Sequence, residues 1–265
     1  MVPFSEIETL AGKFGVPRET IEKDYCLTWF LFGLTESTLL EDIIFYGGTA
    51  LKKMYFSDYR FSEDLDLASG KYLEEQQILN SLEKIYKYIK ERANIDFETI
   101  QESLISERDR LQFFVGYEGF PELAGLKQFR IDLVRNVEDI ELAVYRKILS
   151  NYSDMRGFKK ELKVYTLETM FVDKLGMILD SSRSEPRDIY DLWYLLKRGR
   201  LNLSKIKELF KKRCGFLLPL EAVESSIKSD LYKKRWRQRL ANQIHKLPDI
   251  EVVVTEIEEN LREKL

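Results

Sequence analysis

Asp64-Leu65-Asp66 sets two carboxylates two residues apart. On a strand such a pair faces one side while Leu65 and Leu67 face the other. Two acidic groups side by side repel, and a divalent cation relieves that repulsion. Upstream stands Tyr46-Gly47-Gly48-Thr49, with fourteen residues between Thr49 and Asp64. A glycine pair lets the backbone approach phosphate oxygens with its N–H groups exposed. A third carboxylate, Asp132, interrupts the apolar alternation of Phe129, Ile131 and Leu133. Nucleotidyl and phosphoryl transfer need the triphosphate charge neutralised and the attacking and leaving oxygens held in line. Asp64, Asp66 and Asp132 are therefore expected to be metal ligands for chemistry on a nucleoside triphosphate, with Asp132 also activating the attacking hydroxyl. An all-oxygen donor set favours Mg²⁺ or Mn²⁺ over zinc. His245 is the only histidine, and no nucleophile motif accompanies it, which excludes hydrolase triads.

The elements that must position these groups follow from periodicity. Residues 5–34 read as two helices, with Pro17 near the start of the second. Residues 43–46 form a short strand ending at the glycine turn, and residues 49–55 open a helix facing it. Residues 61–68 are the strand carrying the Asp pair, and residues 73–92 an amphipathic helix. Three strands are expected between 95 and 135, the last with the period of a half-buried strand. A further short strand is expected at 163–166, and the pattern is helical from Leu167 onward.

The chain has 265 residues, 44 % apolar, with 13 Gly and 6 Pro, which describes a folded protein with a sizeable core. It carries no apolar run long enough to span a membrane. The N-terminus lacks a basic segment followed by an apolar one, so a cytoplasmic protein is expected. Cys26 and Cys214 are two separate thiols without metal-ligand spacing. The net charge is −3, but Lys197 to Arg239 hold fourteen Lys/Arg against four Asp/Glu. Such asymmetry predicts a polyanionic partner on the basic side, or a set of self-solvating helices. Trp236 within KKRWRQR stacks on a base in the first reading and packs inward in the second.

Four ordered segments resemble the nucleotidyltransferase AbiEii/AbiGii toxin family, of the DNA polymerase β-like superfamily. They are IEKDYCLTWFL, YGGTALKKMYF with RFSEDLDL, FVDKLGMIL and PRDIYDLWYLL. The resemblance implies an α+β fold: an N-terminal nucleotidyltransferase domain with a mixed sheet over residues 1–155, then a helical domain over 156–265 completing the nucleotide cleft. It implies an enzyme that uses an NTP and Mg²⁺, adds nucleotides to RNA such as the 3′ acceptor end of tRNA, and has an antitoxin partner in a toxin–antitoxin or phage-defence pair. The loop between Thr49 and Asp64 is longer than the compact form of the family's first motif.

Matched residue by residue, Gly47, Gly48 and Thr49 face the phosphates, Thr49 through its hydroxyl and N–H unless it only caps the helix. Lys53 reaches the triphosphate or is a solvated helix lysine; Arg60 pairs with phosphate or with Glu63. Asp132 has Arg130 or Arg135 as alternative salt-bridge partners. Ser62 is expected on the same strand face as Asp64, where a phosphate would crowd the metal site with negative charge. Lys174 contacts the triphosphate or pairs with Asp188 or Asp191, its neighbours in the last motif. Lys174 and Asp191 are the candidates for catalysis from the helical half, and Asp188, with Lys174, for nucleotide binding. Two other readings stay open: transfer to a small hydroxylated acceptor such as an aminoglycoside, and an NTP- or antitoxin-binding module without turnover.

Overall fold

The computed structural model describes residues 1–264. It divides into two compact units, Met1–Tyr165 and Thr166 onward. The first opens with α1 (Phe4–Phe14) and α2 (Arg18–Leu34). Pro17 precedes α2 with φ −56°, already set for a helix start. From Tyr25 to Leu34 every α2 side chain is buried, so this helix is apolar on all faces and runs through the core.

A seven-stranded mixed sheet follows. Its strands are β1 (Ile43–Tyr46), β2 (Asp64–Ser69), β3 (Phe97–Ser106), β4 (Arg110–Tyr117), β5 (Gln128–Val134), β6 (Ala143–Lys147) and β7 (Glu161–Tyr165). The spatial order is β3-β4-β5-β2-β1-β7-β6. The two central pairings that matter for chemistry are β1–β2, antiparallel, and β2–β5, parallel. Between β1 and β2 lie α3 (Gly47–Ala50) and a wider helical turn, Leu51–Tyr55. The turn closes with Phe56 N–H donating to Leu51 O at 2.9 Å, an i→i−5 bond.

One face of β5 presents Phe129, Ile131 and Leu133 to the core, where Phe129 meets Phe30 of α2 edge-to-face with ring centroids 5.5 Å apart. α4 (Glu75–Ala93) adds Ile78, Leu82, Ile85 and Ile89 to the same apolar layer. Each such side chain contributes about 1.5–3 kcal/mol on burial, which holds β5 between β2 and β4. The opposite face of β5, free of that packing, carries Arg130 and Asp132.

The second unit holds α5 (Leu167–Leu179), α6 (Pro186–Arg198), α7 (Ile206–Cys214), α8 (Leu220–Ile227), α9 (Asp230–Leu240) and α10 (Ile250–Lys264). Thr166 caps α5 by accepting from Thr169 N–H at 3.3 Å, and Pro186 opens α6. α6 buries Ile189, Leu192 and Leu195. Among the described residues no helix is long and apolar enough to cross a membrane.

Two differences from expectation have simple causes. β6 was not anticipated because it is an edge strand whose residues Val144 to Lys147 are exposed, so it shows no burial alternation. β2 begins at Asp64 rather than at residue 61, leaving Arg60 to Glu63 as the approach to the sheet.

Candidate active site

The glycine turn is built against the acidic strand. Tyr46 pairs with Asp66 across β1–β2, and the chain then turns at Gly47 with φ +77°. A Cβ on Gly47 would overlap the Asp66 carboxylate, its Cγ lying 2.8 Å away. At Gly48 a Cβ would meet Arg60 Nη2 at 2.7 Å and Ser62 Oγ at 3.0 Å. Only glycines allow the turn, the Asp66 carboxylate and the Arg60 guanidinium to sit this close. Ser62 lies before β2, beside the turn rather than on the carboxylate strand. Thr49 is buried, and its hydroxyl donates to the backbone carbonyl of Asp64 at 2.5 Å. That bond ties the turn to β2; it commits the hydroxyl that the sequence assigned to phosphate.

The three expected carboxylates come together by strand register. In the parallel β2–β5 pair Asp64 lies opposite Arg130 and Asp66 opposite Asp132. Neighbouring strands run about 4.8 Å apart and equivalent positions share a face, so all three carboxylates project from one side of the sheet. Their immediate partners are arginines. Arg130 Nη2 donates to Asp64 Oδ2 at 3.0 Å. Arg110, the first residue of β4, binds both oxygens of Asp132: Nε donates to Oδ1 at 2.7 Å and Nη2 to Oδ2. The Asp132 hydrogen bonds are also what raise the guanidinium pKa of Arg110 above its ordinary value. Asp132 therefore pairs with neither Arg130 nor Arg135, the partners its sequence neighbourhood suggested. Arg135 is buried and donates to the Leu73 carbonyl at 3.2 Å. Among the described residues, no three Asp, Glu, His or Cys side chains are grouped so as to hold an ion. Asp64 and Asp132 each point at a guanidinium.

Lys53 serves the fold. It is buried, and its ammonium donates to Asp24 Oδ2 at 2.6 Å, an oxygen that also accepts from Tyr152 Oη at 2.7 Å. Burial pushes the lysine pKa down while Asp24 opposes the shift. The backbone of Lys53 accepts from Leu149 N–H at 2.7 Å. Lys53 is thus buried rather than solvated, and it fastens the helical turn after the glycines to α2. Neighbouring Lys52 donates to the Tyr59 carbonyl at 2.8 Å and lies 3.8 Å from the Phe61 ring centroid. It holds the long loop between the turn and β2. Arg60 is buried in that loop, with Nη1 donating to Phe61 O at 3.1 Å, and Glu63 accepts from Lys23 at 3.2 Å.

In the helical unit Lys174 of α5 is buried with two carboxylates of α6. Its Nζ lies 2.7 Å from Asp188 Oδ1 and 2.8 Å from Asp191 Oδ2. Burial raises the Asp188 carboxyl pKa, but Lys174 and Arg183, at 2.8 Å, overcome it and hold the value below the ordinary one. Arg187 pairs with Glu185 at 3.1 Å. Of the two readings of the basic stretch, Trp236 follows the inward one: it is buried, and its indole N–H donates to the Pro248 carbonyl at 2.9 Å. Lys234, Arg237 and Lys246 are exposed and line a cavity of about 630 Å³.

Sequence reasoning missed Arg110 as the partner of Asp132, and Asp24 as the partner of Lys53. Both signals existed, in the alternation of β4 and in an acidic residue standing amid the apolar run of α2, but each needed the pairing of distant segments to be read.

A family profile described as the nucleotidyl transferase AbiEii toxin, type IV toxin–antitoxin system, matches residues 29–264. The chain belongs to this family. AbiEii membership makes it a nucleotidyltransferase toxin, with an NTP as substrate and an antitoxin as partner. No curated protein matches the chain. Among solved structures it is similar to MenT4, the nucleotidyltransferase toxin Rv2826c of Mycobacterium tuberculosis H37Rv. The TM-score is 0.69 at 16 % identity, covering 98 % of this chain and 88 % of that one. It is also similar to JHP933 from Helicobacter pylori, with TM-score 0.61 at 16 % identity over 94 % of this chain and 92 % of the other. These likenesses establish the fold.

Proposed function

We propose that this AbiEii toxin transfers a nucleotide from an NTP to the 3′ acceptor end of tRNA in a Mg²⁺-dependent reaction in the cytoplasm, as the active half of a toxin–antitoxin or phage-defence pair. One observation carries the reading: Asp64 and Asp66 of β2 and Asp132 of β5 share one face, and Gly47 is packed onto the Asp66 carboxylate. The all-oxygen donor set fits a hard divalent cation, and Arg130 Nε is buried with no acceptor, a donor ready for one more oxygen. Asp64, Asp66 and Asp132 would hold the cation, which when bound neutralises triphosphate charge and aligns the reacting oxygens.

The protein's own groups do the rest. The N–H groups of the glycine turn and the Arg60 guanidinium receive phosphate oxygens. Asp132 accepts the proton of the acceptor hydroxyl as its oxygen bonds to the α-phosphorus. The bond from that phosphorus to the β-phosphate bridge then breaks, and pyrophosphate leaves. Thr49 and Lys53 support the turn from beneath. Lys174, Asp188 and Asp191 are assigned to the nucleotide site on their match to the family's later motifs. The excess of ten positive charges between Lys197 and Arg239 supports a polyanionic acceptor over a small one.

The test is incubation of the purified protein with each labelled NTP, Mg²⁺ and total tRNA. Label should enter tRNA with wild type and not with Asp64→Ala. Transfer confined to small hydroxylated molecules would remove RNA as acceptor. NTP binding without transfer to any acceptor would leave a binding module.

A further inference from the structure

The carboxylate face carries its own cations. Three carboxylates share it with two guanidiniums, Arg130 on Asp64 and Arg110 on Asp132. The Arg110 grip is bidentate, so both Asp132 oxygens accept from one group. A carboxylate held in this way has a lone pair of each oxygen committed to the guanidinium, although Asp132 is the proposed base. The two sides of the pair differ in freedom. Asp132 is 7 % exposed and fixed in the centre of the sheet, whereas the Arg110 side chain is 52 % exposed at the first residue of β4. Arg110 can leave; Asp132 cannot follow.

We infer that Arg110 and Arg130 are exchange residues that hold the catalytic carboxylates between turnovers and move to the triphosphate when nucleotide and cation bind together. This rests on the metal reading of the three carboxylates given above. The physical reason is competition. A cation and a guanidinium compete for the same oxygens, and each arginine charge also repels a nearby cation. A triphosphate supplies new anionic oxygens of the geometry that arginine binds well, and Arg130 already has an unused Nε donor. The arginines therefore oppose loading of a bare ion and favour loading of an ion with its nucleotide. They are positioning residues for Asp64 and Asp132 in the first state and phosphate ligands in the second.

The two states make opposite demands on one side chain, and that is the test. Mn²⁺ binding to the full-length protein is measured by electron paramagnetic resonance, with and without a non-hydrolysable NTP analogue. Without nucleotide, Arg110→Ala should bind Mn²⁺ about tenfold more tightly than wild type. With Mn²⁺ present, the same variant should bind the analogue about tenfold more weakly. Arg110→Lys, which keeps the charge, should stay near wild type in both. If near-UV circular dichroism shows Arg110→Ala to be misfolded, Arg130→Ala is read in its place with the same signs. Mn²⁺ affinity unchanged or weaker in a folded arginine-to-alanine variant overturns the inference. Mn²⁺ binding that Asp64→Asn and Asp132→Asn leave unaltered removes the carboxylate site as well, and so separates the two failures.

Discussion

Replacing Lys174 by methionine keeps the length and apolar stem of the side chain and deletes the charge that two α6 carboxylates share. The Lys174, Asp188 and Asp191 side chains are 8 %, 3 % and 0 % exposed, so water cannot replace the lost ammonium. Breaking a buried pair from one side costs about 3–5 kcal/mol, because the remaining charge stays in a medium of low polarity. Two carboxylates depend on this lysine, which argues for the upper end; Arg183 remains on Asp188, which argues for less. About 4 kcal/mol is expected at pH 7, a large share of a typical domain's 5–15 kcal/mol. The assay is urea unfolding followed by fluorescence, to which Trp193 and Trp236 report from the helical unit. The pH dependence provides a second check. The Asp188 pKa is lowered in the folded state, so its contribution is present above the ordinary carboxylate range and is lost as pH falls through the lowered value. In Lys174→Met that contribution is gone and protonation relieves the stranded carboxylates, so the gap to wild type should narrow as pH falls from 7 towards about 4. A loss under about 1 kcal/mol, or a gap that does not change with pH, would refute the ion-pair account. A variant of full stability that no longer transfers nucleotide would return Lys174 to a role at the phosphates alone.

Gly47→Ala should lower nucleotide transfer by about a hundredfold, since the added Cβ displaces the Asp66 carboxylate, and a misplacement near 1 Å has that scale; measured kcat within threefold of wild type would contradict it. Asp24→Asn removes the counter-charge of buried Lys53 and should cost about 3 kcal/mol of stability in urea, with Asp24→Asn/Lys53→Met recovering part of it. Burial pushes Lys52 down to about 8, against an ordinary 10.5. Its charged form then costs stability below that value, and the cost, up to about 3 kcal/mol, is relieved as pH rises from 8 to 10.5. The difference in unfolding free energy between Lys52→Met and wild type should therefore change across that window. Trp236→Phe should lose about 1 kcal/mol with its hydrogen bond to Pro248 and leave RNA affinity in filter binding unchanged.

Much of the candidate site's geometry was legible because it is local. Gly47, Gly48, Asp64 and Asp66 lie close in sequence, and strand alternation alone puts the two aspartates on one face. Asp132 was legible as a charge set into the apolar alternation of β5. What alternation cannot supply is the neighbour of a strand. Arg130 faces Asp64 and Arg110 reaches Asp132 only because β5 inserts between β2 and β4, an order set by core packing. Lys53 read as a triphosphate ligand or a solvated helix lysine for the same reason: its partner Asp24 lies 29 residues upstream, on a helix whose burial is visible only in three dimensions. Lys174 was the easier case, since an ammonium on an apolar helix requires a counter-charge and the motif with Asp188 and Asp191 offered one.

The parallel pairing of β2 with β5 also has a consequence during synthesis. When β1, the glycine turn and β2 have left the ribosome, the chain already holds Asp64 and Asp66 but not the third carboxylate. Asp132 arrives 66 residues after Asp66 and falls into register with it only as β5 takes its place in the sheet. The glycine turn thus precedes Asp132 by a large fraction of the first unit's translation. On the metal reading proposed above, the three carboxylates would therefore be assembled only once β5 has joined the sheet.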